Sequence, residues 1–200
     1  MAPRPGLNAA QILDAAAELA DTVGLQHFTF RELAEKLGVK SPSLYNHVAS
    51  LDAVHRGLTL RAIHVLAGRM RSGAVGRQGL DALRGIAYAE REFARQHPGL
   101  FAALQRTVED QNEELRLAGH DLLGVVLAVL RGYALEGEAV IHAARALQAA
   151  LTGFVLLESK GGFGLPTERD RSFEWLIGML DAGLRGASAP EQAENGQRTV

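Results

Sequence analysis

Apolar residues recur every three or four positions along almost the whole of this chain, and nowhere alternate with the period of two that a half-buried strand requires. That regularity confines the fold to packed helices, about nine of them, so the expected class is all-α. The 200 residues are 47% hydrophobic and 22% charged, enough to build a core and unlike a disordered chain. The longest unbroken apolar run, Leu122 to Leu130, falls well short of the roughly 20 residues a membrane span takes. Met1 to Asn8 holds two prolines and an arginine without an apolar stretch, so no signal peptide is expected. No cysteine is present for a disulfide, a thiolate metal site or a thiol nucleophile. A cytoplasmic protein with no membrane contact is the expectation.

The first fifty residues carry the sharpest punctuation. Asn8, with Gln11 three residues on, reads as a capping box. The helix it opens has an apolar face of Ile12, Ala16, Leu19, Ala20 and Val23, acids Asp14, Glu18 and Asp21 opposite, and Gly24 as its stop. Thr29 and Glu32 form a second box, opening a helix that buries Phe30, Leu33, Ala34 and Leu37 and ends at Gly38. Ser41 before Pro42 is a third start, a cap followed by a proline that the first turn tolerates. Ser50 caps the next helix.

The second and third helices, joined through Gly38-Val39-Lys40, have the helix-turn-helix layout. On the third, Leu44, Val48 and part of Tyr45 face inward. Pro42, Ser43, Asn46, His47 and the Tyr45 hydroxyl are left outside. Between Lys36 and Leu51 there are two lysines, one of them Lys40, and a histidine, but no carboxylate. Phosphates repel carboxylates, so an acid-free edge of small hydrogen-bonding groups suits a reader of duplex DNA. The net charge of −2 excludes only a globally basic wrapper.

The stretch from Phe28 to Val48 contains Leu33-Ala34-Glu35-Lys36-Leu37-Gly38-Val39 and Leu44-Tyr45-Asn46-His47-Val48. It resembles the DNA-binding domain of the tetracycline-repressor (TetR) family of bacterial transcriptional regulators, strongly so over about residues 8–60. The resemblance implies an all-α homodimer that binds a palindromic double-stranded operator and is released by a small ligand. It implies an N-terminal DNA-binding domain over residues 1–51, with the motif at about 28–48, and a ligand-binding and dimerisation domain over residues 52–186. Operator contacts carried over from the family fall on Arg31, Ser41, Pro42, Ser43, Tyr45, Asn46 and His47. Lys40 in the turn joins them as an expected contact, and Arg4 on the N-terminal arm is a supplementary one. The chain departs from the family at Leu51, where relatives commonly have a lysine, and at Phe30, where many have a small residue.

Beyond residue 52 the pattern reads as longer helices over 52–71, 80–96, 100–106, 110–133, 138–158 and 167–184, with residues 187–200 expected to be a disordered tail. On the penultimate helix Ala143, Ala146, Ala150 and Gly153 make a small-residue stripe beside Leu147, Leu151 and Phe154. On the last, Phe173, Leu176, Ile177 and Leu180 make one stripe, and Trp175, Met179 and Ala182 an adjoining one. A dimer interface through Ala143, Ala146, Leu147, Ala150, Phe154, Phe173, Leu176, Ile177 and Leu180 is expected, pairing two helices with their symmetry mates. Residues 145–163 are also similar to a C-terminal subtype of the same family, whose members often have histidine where this chain has Thr152.

An effector pocket is expected among the middle helices, lined by Tyr88, Phe93, Phe101, Leu104, His120, Leu123, His142 and Phe154. Such a lining suggests a hydrophobic or aromatic small molecule. Glu138 and His142 share a helix face, but without a second such pair no metal site follows, and no cofactor is expected. The chain lacks His-Glu-x-x-His, Gly-x-Ser-x-Gly and paired Glu-x-x-His, so it does not read as an enzyme. The rival class is an enzyme or small-molecule carrier made of a helical bundle. A third reading, a protein-interaction module whose helix-turn-helix has lost DNA binding, gains from Leu51 and the near-neutral charge of the domain.

Overall fold

A computed structural model describes residues 7–105 and 112–187. Among them the chain forms α1 (Ala9–Val23), α2 (Phe30–Leu37), α3 (Ser41–Leu44), α4 (Leu51–Ala74), α5 (Gly79–Gln96) and α6 (Pro98–Leu104). There follow α7 (Glu113–Leu130), a 3-10 turn (Arg131–Tyr133), α8 (Glu138–Ser159) and α9 (Arg169–Ala187). The fold is all-α, and no strand occurs among the described residues.

Local chemistry sets most of these boundaries. The Asn8 side chain accepts the Gln11 N–H at 2.9 Å, and the Gln11 side chain accepts the Asn8 N–H at 3.0 Å. Thr29 and Glu32 repeat the arrangement at the start of α2, and Ser50 accepts the Ala53 N–H at 3.1 Å at the start of α4. Gly38 ends α2 in the left-handed region (φ 67°), where a side chain would be strained.

Ser41 departs from the sequence expectation. It is the first helical residue rather than the cap. Lys40 occupies the cap position with extended backbone and no side-chain bond, which puts Pro42 second in the helix. Val23 also differs, for it is largely exposed: beyond it Gly24 turns the chain and Leu25 takes the buried place. The arm residue Arg4, the end of the expected helix over 100–106, the start of the one over 110–133 and the tail after Ala187 lie outside the described residues.

The long helix α4 is the spine. It meets α1 along its first half, where Arg61 pairs with Asp14, and crosses α6 where the Thr59 hydroxyl donates to the Ala103 carbonyl at 3.2 Å. Near its end it meets α5 so closely that a Cβ on Gly85 would sit 2.0 Å from the Gly73 carbonyl oxygen. Leu58, Leu83, Ile86, Phe93, Leu147, Phe173 and Ile177 fill the core between α4, α5, α8 and α9. Buried Arg91 joins α5 to α8 and α9 through Glu158 (2.8 Å) and Asp170 (2.7 Å), its guanidinium 4.8 Å from the Phe173 ring centre. Helix α8 contains a window of mean hydropathy 1.5, long and apolar enough to cross a membrane by length and composition alone. It turns Leu147, Leu151 and Val155 into this core, yet only 17% of that stretch is buried within the chain.

Candidate functional site

The first three helices build a polar edge from short-range bonds. Leu44 is completely buried and anchors α3, while the His47 and Val48 N–H groups return to the Leu44 carbonyl at 2.9 and 3.0 Å. This tight turn leaves Lys40, Pro42, Tyr45, Asn46 and His47 exposed, with Ser41 and Ser43 half-buried. The Tyr45 ring lies on Phe30, centroids 4.7 Å apart and 26° from parallel, so the stack fixes where the hydroxyl points. Phe30 is thus only half-buried, serving as a platform for Tyr45 as much as a core residue.

Arg31, at the start of α2, is exposed and pairs with Glu35 at 2.8 Å, which raises its already high pKa further. Lys36 is drawn back to Glu18 on α1 at 2.8 Å. The remaining edge, from Lys40 to His47, carries no carboxylate. It presents a cation, hydroxyls, an amide and an imidazole over a surface one short helix long. Such groups can bond base edges and phosphate oxygens together.

A second feature, which sequence reasoning missed, ties this unit to the rest. Gly99, in the first turn of α6, donates its N–H to Asp21 of α1 at 2.7 Å. A Cβ on Gly99 would meet the Ala20 carbonyl carbon at 2.3 Å, so only glycine allows this approach. His97 stands 3.7 Å from the other Asp21 oxygen, and its far ring nitrogen is 3.1 Å from Arg69 of α4. Nothing local marks such a junction, because its members are far apart in sequence.

Between α4, α5, α6, α7 and α8 lies a cavity of about 790 Å³. Of the expected lining residues, Phe101, Leu104 and Leu123 do face it. The other five do not. Phe93 is fully buried against Phe101 and His97. Tyr88 and Phe154 pack on Phe173 at 5.3 and 5.0 Å, on the opposite side of the core. His120 borders a separate surface cleft beside Asp121, which Arg71 grips. His142 is exposed. The expectation favoured rings, whereas the wall is largely aliphatic, with Ile63, Leu66, Met70 and Ile86 prominent.

The same wall carries Glu90, with 6% of its surface exposed, bonded at 2.7 Å by the Thr152 hydroxyl. Burial pushes its pKa up to about 6, while the Thr152 bond pulls the other way. Sequence reasoning missed Glu90, since a glutamate within Glu90-Arg91-Glu92 reads as a solvated face. No cluster of three or more metal-binding side chains occurs among the described residues.

The outer faces of α8 and α9 also differ from expectation. Ala143, Leu147, Phe173 and Ile177, expected at a dimer interface, are instead buried in the core of the single chain. Ala146, Ala150, Phe154, Leu176 and Leu180 stay exposed or half-buried. Trp175 (69% exposed) and Met179 (47%), on the adjoining stripe of α9, are in water together with Leu157 of α8. The more aliphatic stripe of α9 turned inward, which left the tryptophan stripe outside.

Comparison with known proteins agrees over both halves of the chain. Residues 12–52 match the family described as bacterial regulatory proteins, tetR family, and residues 83–180 match the tetracyclin repressor-like C-terminal domain. An uncharacterized HTH-type transcriptional regulator of Bacillus subtilis, YobS, is 37% identical over 92% of this chain and 96% of its own length. A second such regulator, from Mycobacterium tuberculosis, is 35% identical over 89% of this chain and 82% of its own. Among solved structures, a TetR variant from Acinetobacter baumannii in complex with minocycline superposes with a TM-score of 0.69. It covers 92% of this chain and 99% of that one at 22% identity, a likeness of fold.

Proposed function

The chain belongs to the TetR family of bacterial DNA-binding transcriptional regulators, and from that premise we propose that it is a repressor. In this reading it holds a palindromic operator as a homodimer and lets go when a small apolar molecule enters its helical core. Residues 1–51 are the reader; residues 52–186 take the effector and the partner. The protein acts in the cytoplasm, where its DNA is, and catalyses nothing.

Reading falls to Arg31, Lys40, Ser41, Pro42, Ser43, Tyr45, Asn46 and His47. Two readers can enter successive major grooves on one side of a duplex when they stand about 34–36 Å apart. The partner meets the outward stripes of α8 and α9, centred on Ala146, Ala150, Leu157, Trp175 and Met179. An apolar α8 that stays mostly unburied in the protomer supports that choice.

One observation carries the effector reading: α6 lines the cavity with Phe101 and Leu104 and, through Gly99, grips α1 of the reader. A molecule that prefers one setting of α6 therefore also prefers one setting of the reader. It shifts the population by its differential affinity and no more; moving from 1:99 to 99:1 takes about 5.5 kcal/mol.

The test is selection of genomic fragments by the full chain, followed by titration of the selected sequence against scrambled duplex at fixed salt. Two protomers on one palindrome, bound far more tightly than the scrambled control, is the expected result. Equal affinity for both duplexes would leave a helix-turn-helix without a reading function, the alternative that Leu51 favours.

A further inference from the structure

Among the described residues that line the cavity, one charge is interior. Glu90 is 6% exposed, accepts one bond from Thr152, and has no cationic partner among the described residues. Among the described residues, buried Arg91 by contrast is paired, with Glu158 and Asp170. An unpaired carboxylate in an apolar wall is costly, and an incoming cation relieves that cost.

The other charges around the cavity sit differently. Arg145 and Arg116 reach its lining but are exposed, and Arg116 is already paired with Glu113. Arg145, Gln148 and Thr152 lie along one face of α8, so Arg145 is seven residues, about 10 Å of helix, from the residue that bonds Glu90. Water screens a rim charge far more than an interior one. The rest of the polar lining is neutral: Gln105, Gln148, and the Thr59 hydroxyl already given to the carbonyls of His55 and Ala103.

We propose that this cavity selects a hydrophobic organic cation, its apolar body against Ile63, Leu66, Ile86 and Leu123 and its protonated amine on the Glu90 carboxylate. The Thr152 hydroxyl donates to that carboxylate at 2.7 Å and leaves its other oxygen for the amine. The inference rests on the reading of the cavity as the effector site, and it narrows the class of effector from apolar molecules at large to apolar amines.

Three probes with one ring system and three heads test it: 1-naphthylmethylamine, 1-naphthalenemethanol and 1-naphthoate, each titrated calorimetrically into the full chain at pH 7.5. The ammonium is expected to bind roughly ten- to a hundredfold more tightly than the alcohol, the range of a charge-assisted hydrogen bond. The carboxylate is expected to bind most weakly, and Glu90→Gln to bring the ammonium's affinity down to that of the alcohol. Equal binding of ammonium and alcohol by the natural chain, tightest binding of the carboxylate, or no binding of any probe overturns the proposal without recourse to a variant. A separate arm measures operator release by the bound amine. An amine that binds through Glu90 but leaves the operator complex intact refutes the effector reading and keeps the cation selectivity.

Discussion

Asp21 caps a helix that is not its own. Its carboxylate, on α1, receives the Gly99 N–H at 2.7 Å in the first turn of α6, where His97 makes no side-chain cap. The first turn of a helix has unsatisfied donors and a partial positive charge, so an acid from another element is a strong attachment there. This bond fastens the reader to α6, one wall of the cavity, beside its junction with α4.

That attachment gives the first expectation. Asp21→Ala should lower stability by about 1 kcal/mol, the net worth of one hydrogen bond. Operator affinity should change less than the response to a bound effector, since the link between the two parts is what is lost. Gly99→Ala should do more, because its Cβ would meet the Ala20 backbone; about 1–3 kcal/mol is the usual cost of such overpacking. Urea unfolding curves set beside operator titrations with and without effector measure both. Unchanged effector response in Asp21→Ala would dismiss the link.

Tyr45 and His47 are exposed and stand on separate local supports, so their loss need not disturb the fold. The double change to alanine should remove sequence-specific binding while helicity by circular dichroism stays intact. Tyr45→Phe keeps the stack on Phe30 and loses only the hydroxyl. It should weaken operator binding by about tenfold or more, and a fluorescence anisotropy titration reads the loss.

The outward stripe of α9 predicts an oligomeric effect without a stability effect in the protomer. Trp175→Glu together with Met179→Glu should give monomers in sedimentation equilibrium, with secondary structure preserved. Operator affinity should fall with dimerisation, since a single reader has half the contacts. Dimers that persist in this variant point to another surface.

Ile177, two residues from Trp175, should behave in the opposite way. It is fully buried, so Ile177→Ala should cost about 2–5 kcal/mol in unfolding free energy, as large-to-small changes in cores do. A mild effect on unfolding combined with loss of the dimer would return Ile177 to the interface.

Glu90 predicts a pH dependence of definite sign. Its folded pKa, about 6, stands above the ordinary carboxylate value of 4.5. Between those values the folded chain binds more protons than the unfolded one, so stability contributed at this site falls as pH rises. Above pH 6 the buried charge costs on the order of 2 kcal/mol. Glu90→Gln should therefore be more stable than the natural chain by about that amount at pH 7.5, with the gap closing toward pH 4.5. Glu158 and Asp181 are shifted the other way by Arg91 and Arg185 and destabilise the fold on acidification. They do so in both proteins, so the difference between the two isolates Glu90.

What the sequence disclosed and what it hid divide along a physical line. The caps at Asn8, Thr29 and Ser50 and the stop at Gly38 were legible because a side chain and the amide it serves lie within a few residues. The all-α class was legible because helical periodicity is local too. The missed cap at Ser41 turns on one residue of register next to a proline.

Which of two apolar stripes on α9 turns inward was not legible, because both suit a helix face and only the shapes of α5 and α8 choose between them. The cavity was read through its rings, yet Tyr88 and Phe154 were needed around Phe173. Thr152 stood out only as a departure from its relatives. Its meaning lies in Glu90, 62 residues away.

The contact between Gly73 and Gly85 has a mechanical corollary. With no side chains to cushion it, the crossing of α4 and α5 is a fulcrum close to one end of a 24-residue rod. From that pivot to Leu51 is about 33 Å of helix, so a tilt of 5° sweeps the far end through about 3 Å. Leverage of that ratio turns a small adjustment around a bound molecule into a displacement of about a quarter of a major-groove width at the other extremity.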